Sequence, residues 1–338
     1  PKYIGNSFSA DVSYLPTLKI SIKKSQYKKI KHVRKESLQR GVLNKDINEY
    51  SKAKFVLDGR EVKGKLKLKG IFKDHWIEED ERWSYKVKIK ADSSLLGLNE
   101  FNLMKPERRG ELSEWFFEEL LKYSGNIYQE IKFVNVEVNG KDLGVYLIEE
   151  RINSDFLKKN NLLGSIFKID KKGMQKSDYI GTEYNNIFLT SSLKVIAESD
   201  SSSSIEGQKL FERFRLGEIR ASECFDLEQY AFITALSDLS GTWHELMPHN
   251  TLYFYNKNTK KIELIVNDGS FSTSPYHITT LLGSNCVGGQ FRPIDKVVYC
   301  DSAFHKHYYK ALTNLGTSKY VEKFLKLMEN PMDSALNI

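Results

Sequence analysis

Residues 132–151 read KFVNVEVNGKDLGVYLIEER. Apolar and polar residues alternate on both sides of Asn139-Gly140, the pattern of two strands with one buried face each. Asn-Gly suits a two-residue turn because both central positions need a positive φ. The stretch predicts a β-hairpin. A second one is predicted by AKFVLDGREVKGKLKLKG (53–70), which alternates around Asp58-Gly59. Two hairpins within the first 150 residues make that part of the chain β-rich.

The segments around them fill out the pattern. TLKISIKKSQYKKIKHVRKE (17–36) alternates through Leu18, Ile20 and Ile22 and then becomes densely basic, a short strand running into a lysine-rich helix or loop. We read its charges as a solvated face, with a polyanion-binding patch as the functional alternative. IFKDHWIEEDERW (71–83) is a polar loop with two tryptophans. In SYKVKIK (84–90), Val87 and Ile89 share one face while Lys86, Lys88 and Lys90 share the other. ELSEWFFEELLKY (111–123) has a helical period and ends at Ser124-Gly125, a suitable C-cap.

Further on, ESDSSSSIEG (198–207) is of low complexity and predicts a flexible surface insertion. Asp226 is placed to cap the helix LEQYAFITALSDLSG (227–241), whose Asp238 is expected on the polar side. The loop TWHELMPHN, the strand TLYFYN, the turn KNTKK and the strand IELIVN follow, up to Asp268. The tail after about residue 275 should complete a helical part and end in the helix SKYVEKFLKLMEN. No internal repeat is visible. The order predicts an α+β protein of two lobes: residues 1–150 β-rich, residues 151–338 mainly helical.

Composition narrows the class. Of 338 residues, 40% are hydrophobic and 12% aromatic, which excludes large-scale disorder. The formal charge of +7 suits phosphate-bearing ligands or acidic partners, although most surface charge is simply solvated. Cys224, Cys286 and Cys300 fit neither a metal knuckle nor a dense disulfide framework; one bridge with a spare thiol stays open. No apolar run approaches the roughly 18 residues of a membrane span, and no signal peptide is visible within these residues.

The chemistry-bearing residues sit at ends of elements. Asp268-Gly269 follows the apolar residues 264–266 and Asn267, and a carboxylate beside a buried strand is costly unless it is paired or holds a metal. A simple turn is the other reading of Asn-Asp-Gly. In protein kinases a strand lysine contacts phosphates and is steadied by a helix glutamate. A hairpin and a long helix follow, then a loop with a base and an asparagine, and finally two strands ending at a metal-binding Asp. This chain offers Lys86 or Lys88, then Glu114 or Glu118, the hairpin ending at Glu150, the helix 226–240, Asn250 and Asp268 in that order. Asn250 and Asp268 are hard oxygen ligands suited to Mg²⁺.

Here the sequence resembles the CotH protein-kinase family. The resemblance is carried by LKLKGIFKDHW, RWSYKVKIK, FNLMKPERRGELSEWFFEELLKYSG, FVNVEVNGKDLGVYLIEER, ALSDLSGTWHELMPHNTLYFYN and IELIVNDG. It implies an atypical bilobal kinase-like fold, ATP with Mg²⁺ or Mn²⁺, and phosphorylation of Ser or Thr hydroxyls on proteins. It implies metal-binding roles for Asp268 and Asn250, and phosphate contacts from Lys86 and Lys88. Glu150 would be the family's glutamate after the hairpin, and Arg108 or Arg109 its arginine. It also points to a bacterial cell surface, envelope or spore coat.

The chain departs from the kinase pattern in three places. There is no G-x-G-x-x-G loop, so phosphate cover falls to Gly70 with IFKDH, where Lys73 and His75 could approach. Counting five residues back from Asn250 reaches Glu245 as the base, with His244 and His249 as alternatives. Ser270 follows Gly269, leaving Asp268 as a single carboxylate. Three functions fit: an active protein kinase, a pseudokinase acting as a binding module, and a kinase-fold enzyme transferring AMP or modifying a non-protein substrate. The expected partner is a protein, acidic or Ser-rich, rather than nucleic acid; oligomeric state is left open.

Overall fold

A computed structural model describes residues 15–77, 79–90, 93–170, 193–241, 244–246, 250–269 and 297–336. The chain gathers into two compact units, one from Pro1–Trp115, Glu130–Arg151 and Leu325–Ile338, the other from Phe116–Gln129 and Ile152–Phe324.

The first unit is built on seven strands. They are β1 (Thr17–Ile22), β2 (Ser51–Leu57), β3 (Arg60–Leu68), β4 (Tyr85–Ile89), β5 (Glu100–Met104), β6 (Ile131–Val138) and β7 (Lys141–Glu150). Both expected hairpins form. Asp58 and Gly59 take φ of 50° and 76°, Asn139 and Gly140 take 52° and 83°, as the tight turns require. Neighbours run β1-β2-β3-β4-β5-β7-β6, and β1 pairs in parallel with β6 to close a barrel. Alternation sends Leu18, Phe55, Leu66, Val87, Phe101 and Val136 into its core. Helix α1 (Lys24–Arg40) adds Ile30 and Val33 to that core and ends at Gly41 in the left-handed region.

The second unit holds a four-stranded sheet in the order β11-β10-β8-β9, from β8 (Gly164–Ile169), β9 (Leu193–Glu198), β10 (Leu252–Asn256) and β11 (Lys261–Ile265). Helix α2 (Ser113–Tyr123) runs from the first unit into the second. The later helices are α3 (Ser154–Lys159), α4 (Ser201–Arg215), α5 (Leu227–Ser240), α6 (Ser302–Leu315) and α7 (Ser318–Leu336).

The α+β class holds, but two expectations change. The bilobal kinase-type arrangement is not plainly formed: the N-terminal strands close into a barrel, because β1 supplies the seam that two hairpins alone would leave as open edges. In the later half, β8 and β9 extend the predicted hairpin into a sheet beside its helices. ESDSSSSIEG is not a flexible insertion. Asp200 accepts the Ser203 N–H at 3.0 Å as an N-cap, and α4 begins within the serine run. Gly207 is required there, for a Cβ would lie 2.7 Å from both the Phe167 ring and the Tyr255 side chain.

Asp226 caps α5 as expected, accepting the Gln229 N–H at 3.0 Å. Asp238 on α5 is buried rather than on a polar face, and Tyr308 on α6 donates its hydroxyl to Asp238 Oδ2 at 2.6 Å. Cys224 is a buried free thiol, while Cys286 and most of the tail's expected start lie outside the described residues.

Candidate active site

In the first unit the outward face of β3, β4, β5 and β7 carries the ionic residues. Register sets Lys67 opposite Lys86, Lys86 opposite Asn102 and Asn102 opposite Glu149, so these four form one row across the barrel wall. Lys69 follows β3 on the same face. Its Nζ lies 3.3 Å from Glu149 Oε1, which also accepts the Asn102 side-chain amide at 2.6 Å. The other oxygen of Glu149 takes Arg109 Nη2 at 2.7 Å, and Arg109 Nε lies 3.0 Å from Glu114 Oε2 on α2. Lys69, Glu149, Arg109 and Glu114 are thus one buried network of two cations and two carboxylates.

The network splits its own titrations. Burial alone would raise the Glu149 carboxyl, but Arg109 and then Lys69 outweigh it and hold Glu149 far below the usual range. Burial pushes Glu114 up to about 7, against the pull of Arg109 and with the push of Glu149. Burial brings Lys69 down to about 8 although Glu149 opposes it. Near neutrality the cluster is therefore poised to shed or gain a proton at Glu114, which tilts its net charge toward positive.

The sequence-predicted residues fall around this network rather than all within it. Glu114 belongs to it. Glu118, one turn on, instead accepts the Gln129 N–H at 2.7 Å in the second unit. Glu150 is buried on the opposite face of β7 from Glu149, with its Oε2 accepting the Glu130 N–H at 3.2 Å. Arg108 lies 3.6 Å from Asp74 Oδ2 at the surface, while its neighbour Arg109 enters the cluster. Lys88 pairs with Glu100, which also takes Arg151 at 2.7 Å. Lys86 is half-buried, and burial with the Arg151 charge lowers it to about 8.

Lys73 is exposed in a turn of 3-10 helix over Lys73–His75. His75, the other residue expected near a phosphate, ends the same turn and is half-buried. Burial takes its imidazole down to about 4, its Nδ1 lies 3.3 Å from Ser84 Oγ, and Gly70 (φ 95°) packs on its ring.

Lys69, Glu149 and Arg109 were missed or only bracketed by sequence reading. Lys69 continues the same alternation as Lys65 and Lys67, so nothing local separates it from solvent-facing lysines. Only the cross-strand register brings Glu149 alongside, and parity along β7 chooses Glu149 over Glu150.

The second unit supplies oxygen ligands. Leu252 pairs with Ile265, so the antiparallel register carried outward sets Asn250 across from Asn267, next to Asp268. The Asn267 side-chain amide donates to the Asn250 carbonyl at 2.8 Å and ties these ends together. Asp268 is half-buried with φ 60°, the left-handed region, which Asp tolerates better than most residues. Gly269 is not the residue that turns. Its role is close packing, since a Cβ there would meet Phe117 Cδ1 at 2.4 Å.

Glu245 is wholly buried in the short turn His244–Leu246, and its carbonyl accepts the Thr251 hydroxyl at 3.1 Å. His244 begins that turn; His249 lies outside the described residues.

One carboxylate and one amide are too few to hold a cation alone, and no group of three His, Cys, Asp or Glu residues suited to a metal occurs among the described residues. They suit Mg²⁺ shared with phosphate oxygens, the usual protein contribution to such an ion.

A family model described as CotH kinase protein matches residues 62–329. The chain belongs to the CotH kinase family. The matched stretch takes in every residue of both ligand sets above, and leaves β1, α1 and β2 before it. Membership of the CotH kinase family makes the coarse function kinase-like, and kinases in general work with ATP and a divalent cation. No curated protein matches the chain. Among the described residues no helix is long and apolar enough to cross a membrane.

Proposed function

We propose that this CotH-family chain transfers the γ-phosphoryl group of ATP to Ser or Thr hydroxyls of protein substrates. The observation that carries the reading is the buried Lys69–Glu149–Arg109–Glu114 network. Phosphoryl transfer needs fixed positive charge more than covalent chemistry, and a lysine held by a glutamate is the device kinases use. Lys69 and Arg109 bind phosphate oxygens, and Glu149 keeps both cations aimed. Lys86, Lys88 and Lys73 are further candidates for phosphate contact.

Asp268 and Asn250 are the residues that would hold Mg²⁺ or Mn²⁺, and the ion would supply neutralisation of phosphate charge. In the transfer itself the substrate oxygen bonds to the γ-phosphorus as the bond to the bridging oxygen breaks. ADP leaves with that electron pair, and the hydroxyl proton passes to Glu245, with His244 as second candidate.

Substrates are acidic or Ser-rich proteins, and the setting is the bacterial envelope, cell surface or spore coat, by family resemblance. A second reading, a pseudokinase serving as a binding module, is favoured by the complete burial of Glu245. A third, transfer of AMP, uses the same binding groups.

The test is incubation with γ- or α-labelled ATP, Mg²⁺ or Mn²⁺, and a Ser-rich acceptor, with Lys69→Met and Asp268→Ala beside the wild type. Label from γ alone, lost in both variants, is expected. Label from α establishes nucleotidyl transfer instead. Absence of both labels, with no thermal shift on adding ATP and metal, leaves the pseudokinase.

A further inference from the structure

The outward face of β2, β3 and β4 carries lysine against lysine. Register places Lys52 opposite Lys65, Lys54 opposite Lys63, Lys65 opposite Lys88 and Lys67 opposite Lys86. Like charges directly opposed across strands destabilise a sheet. Edge lysines often guard a sheet against pairing with another chain, but these strands lie inside a closed barrel and have no edge to guard.

Few carboxylates answer them. Lys54 lies 2.9 Å from Glu61, and Lys88 pairs with Glu100. Lys52, Lys63 and Lys65 have no carboxylate at ion-pair distance among the described residues, and all three are exposed. The stems are nevertheless held. The Tyr50 ring takes Lys65, Lys67 and Lys88 ammonium groups at 5.1, 4.9 and 5.8 Å from its centre. The crowding shows in Lys67, lowered by burial and then by the charges of Lys88 and Arg151.

We infer that this face docks an extended peptide bearing phosphoserines at alternate positions. Same-side residues of a strand repeat at about 6.6–6.8 Å, so Lys63, Lys65 and Lys67 match, one for one, alternate side chains of an extended peptide laid along β3. Each dianionic phosphate can then meet lysines from two strands. Single-stranded nucleic acid is less suited, because it binds by stacking on open aromatic rings. Tyr50 is occupied by lysines, and β2, β3 and β4 present no outward aromatic residue. An anionic membrane would be helped by apolar side chains entering it, and the outward positions of this face offer lysines instead.

The phosphopeptide would be the chain's own product, retained for further rounds on one substrate. That part rests on the phosphoryl-transfer reading; the docking needs no ATP.

The experiment measures binding, without nucleotide, of a synthetic peptide with four phosphoserines at alternate positions. Its unphosphorylated twin, an oligothymidine of equal charge and phosphatidylserine vesicles are run in parallel. The protein is wild type or Lys63→Glu/Lys65→Glu, residues outside both ligand sets described above. The expected result is preferential binding of the phosphopeptide, weakened at least tenfold in the variant and weakened further by salt. An unchanged affinity in the variant, or tighter binding of oligothymidine or vesicles than of phosphopeptide, overturns the inference.

Charge reversal sets each glutamate opposite lysines, so the variant should melt no lower than wild type. Should it melt lower, Lys52→Gln/Lys65→Gln is judged by the same criteria. Loss of γ-label transfer with peptide docking intact removes the enzymatic reading alone. Transfer without docking removes this inference alone.

Discussion

Glu149→Gln should destabilise the protein by about 3–5 kcal/mol, the usual cost of leaving buried cations without their carboxylate. The figure follows from the distances. Glu149 lies 2.7 Å from Arg109 and 3.3 Å from Lys69, with 6% of its surface exposed. At an effective dielectric near 20, such separations correspond to attractions of about 6 and about 5 kcal/mol. Glutamine forfeits both but spares the several kcal/mol of dehydrating a carboxylate, so the difference reduces to the range above. It can still accept from Asn102, so the loss belongs to charge rather than to shape.

Denaturant unfolding at pH 7 measures it, and the loss should persist in 1 M salt because a buried network is poorly screened. In a Lys69→Met background the same change should cost at least about 1 kcal/mol less, the signature of coupled residues. A glutamine variant within 1 kcal/mol of wild type would refute the network as the organiser of this face.

Gly269→Ala should cost roughly 1–3 kcal/mol by overpacking against Phe117, and Phe117→Leu in the same chain should recover part of it. Thermal unfolding of the two variants checks this; equal loss in the single and double variants would point to backbone strain instead. The Glu114 contribution to stability should fall as pH rises from 4.5 to about 7, while half-buried His75, held down to about 4, gains stability over much the same range and offsets it. The folded state holds the Glu114 proton through that window while the unfolded state has released it. The Glu114 share amounts to at most about 3 kcal/mol across the window, and it is read as the stability difference between wild type and Glu114→Gln, which should decline by that amount toward pH 7. Tyr308→Phe removes the hydroxyl that serves buried Asp238 and should lower stability by about 1.5–3 kcal/mol, read by chemical denaturation.

How far sequence reading reached depended on the range of the interaction. The hairpins at Asp58-Gly59 and Asn139-Gly140 were legible because four consecutive residues set a tight turn. The Asp226 cap was legible for the same reason. Asp200 carries equally local signals, but the serine run after it reads as low complexity, which hid a helix whose buried side packs on Phe167 and Tyr255. The site was bracketed rather than resolved. Arg108 and Arg109, Glu149 and Glu150, Lys69 and its lysine neighbours differ by one or two positions in the chain. Which member of each pair faces the cluster is a matter of strand parity and of where the 3-10 turn Pro106–Arg108, which follows β5, ends.

The sequence by itself determined the α+β class, the hairpins, most of the helices and the order of chemistry-bearing residues, since propensity, periodicity and turn chemistry act over a few residues. Only the tertiary structure decided that β1 closes a barrel against β6, that Lys69 meets Glu149, and that Gly269 is held by Phe117. Those contacts join residues 80 to more than 150 positions apart. Their geometry follows from register and packing, which no local stretch of the chain contains.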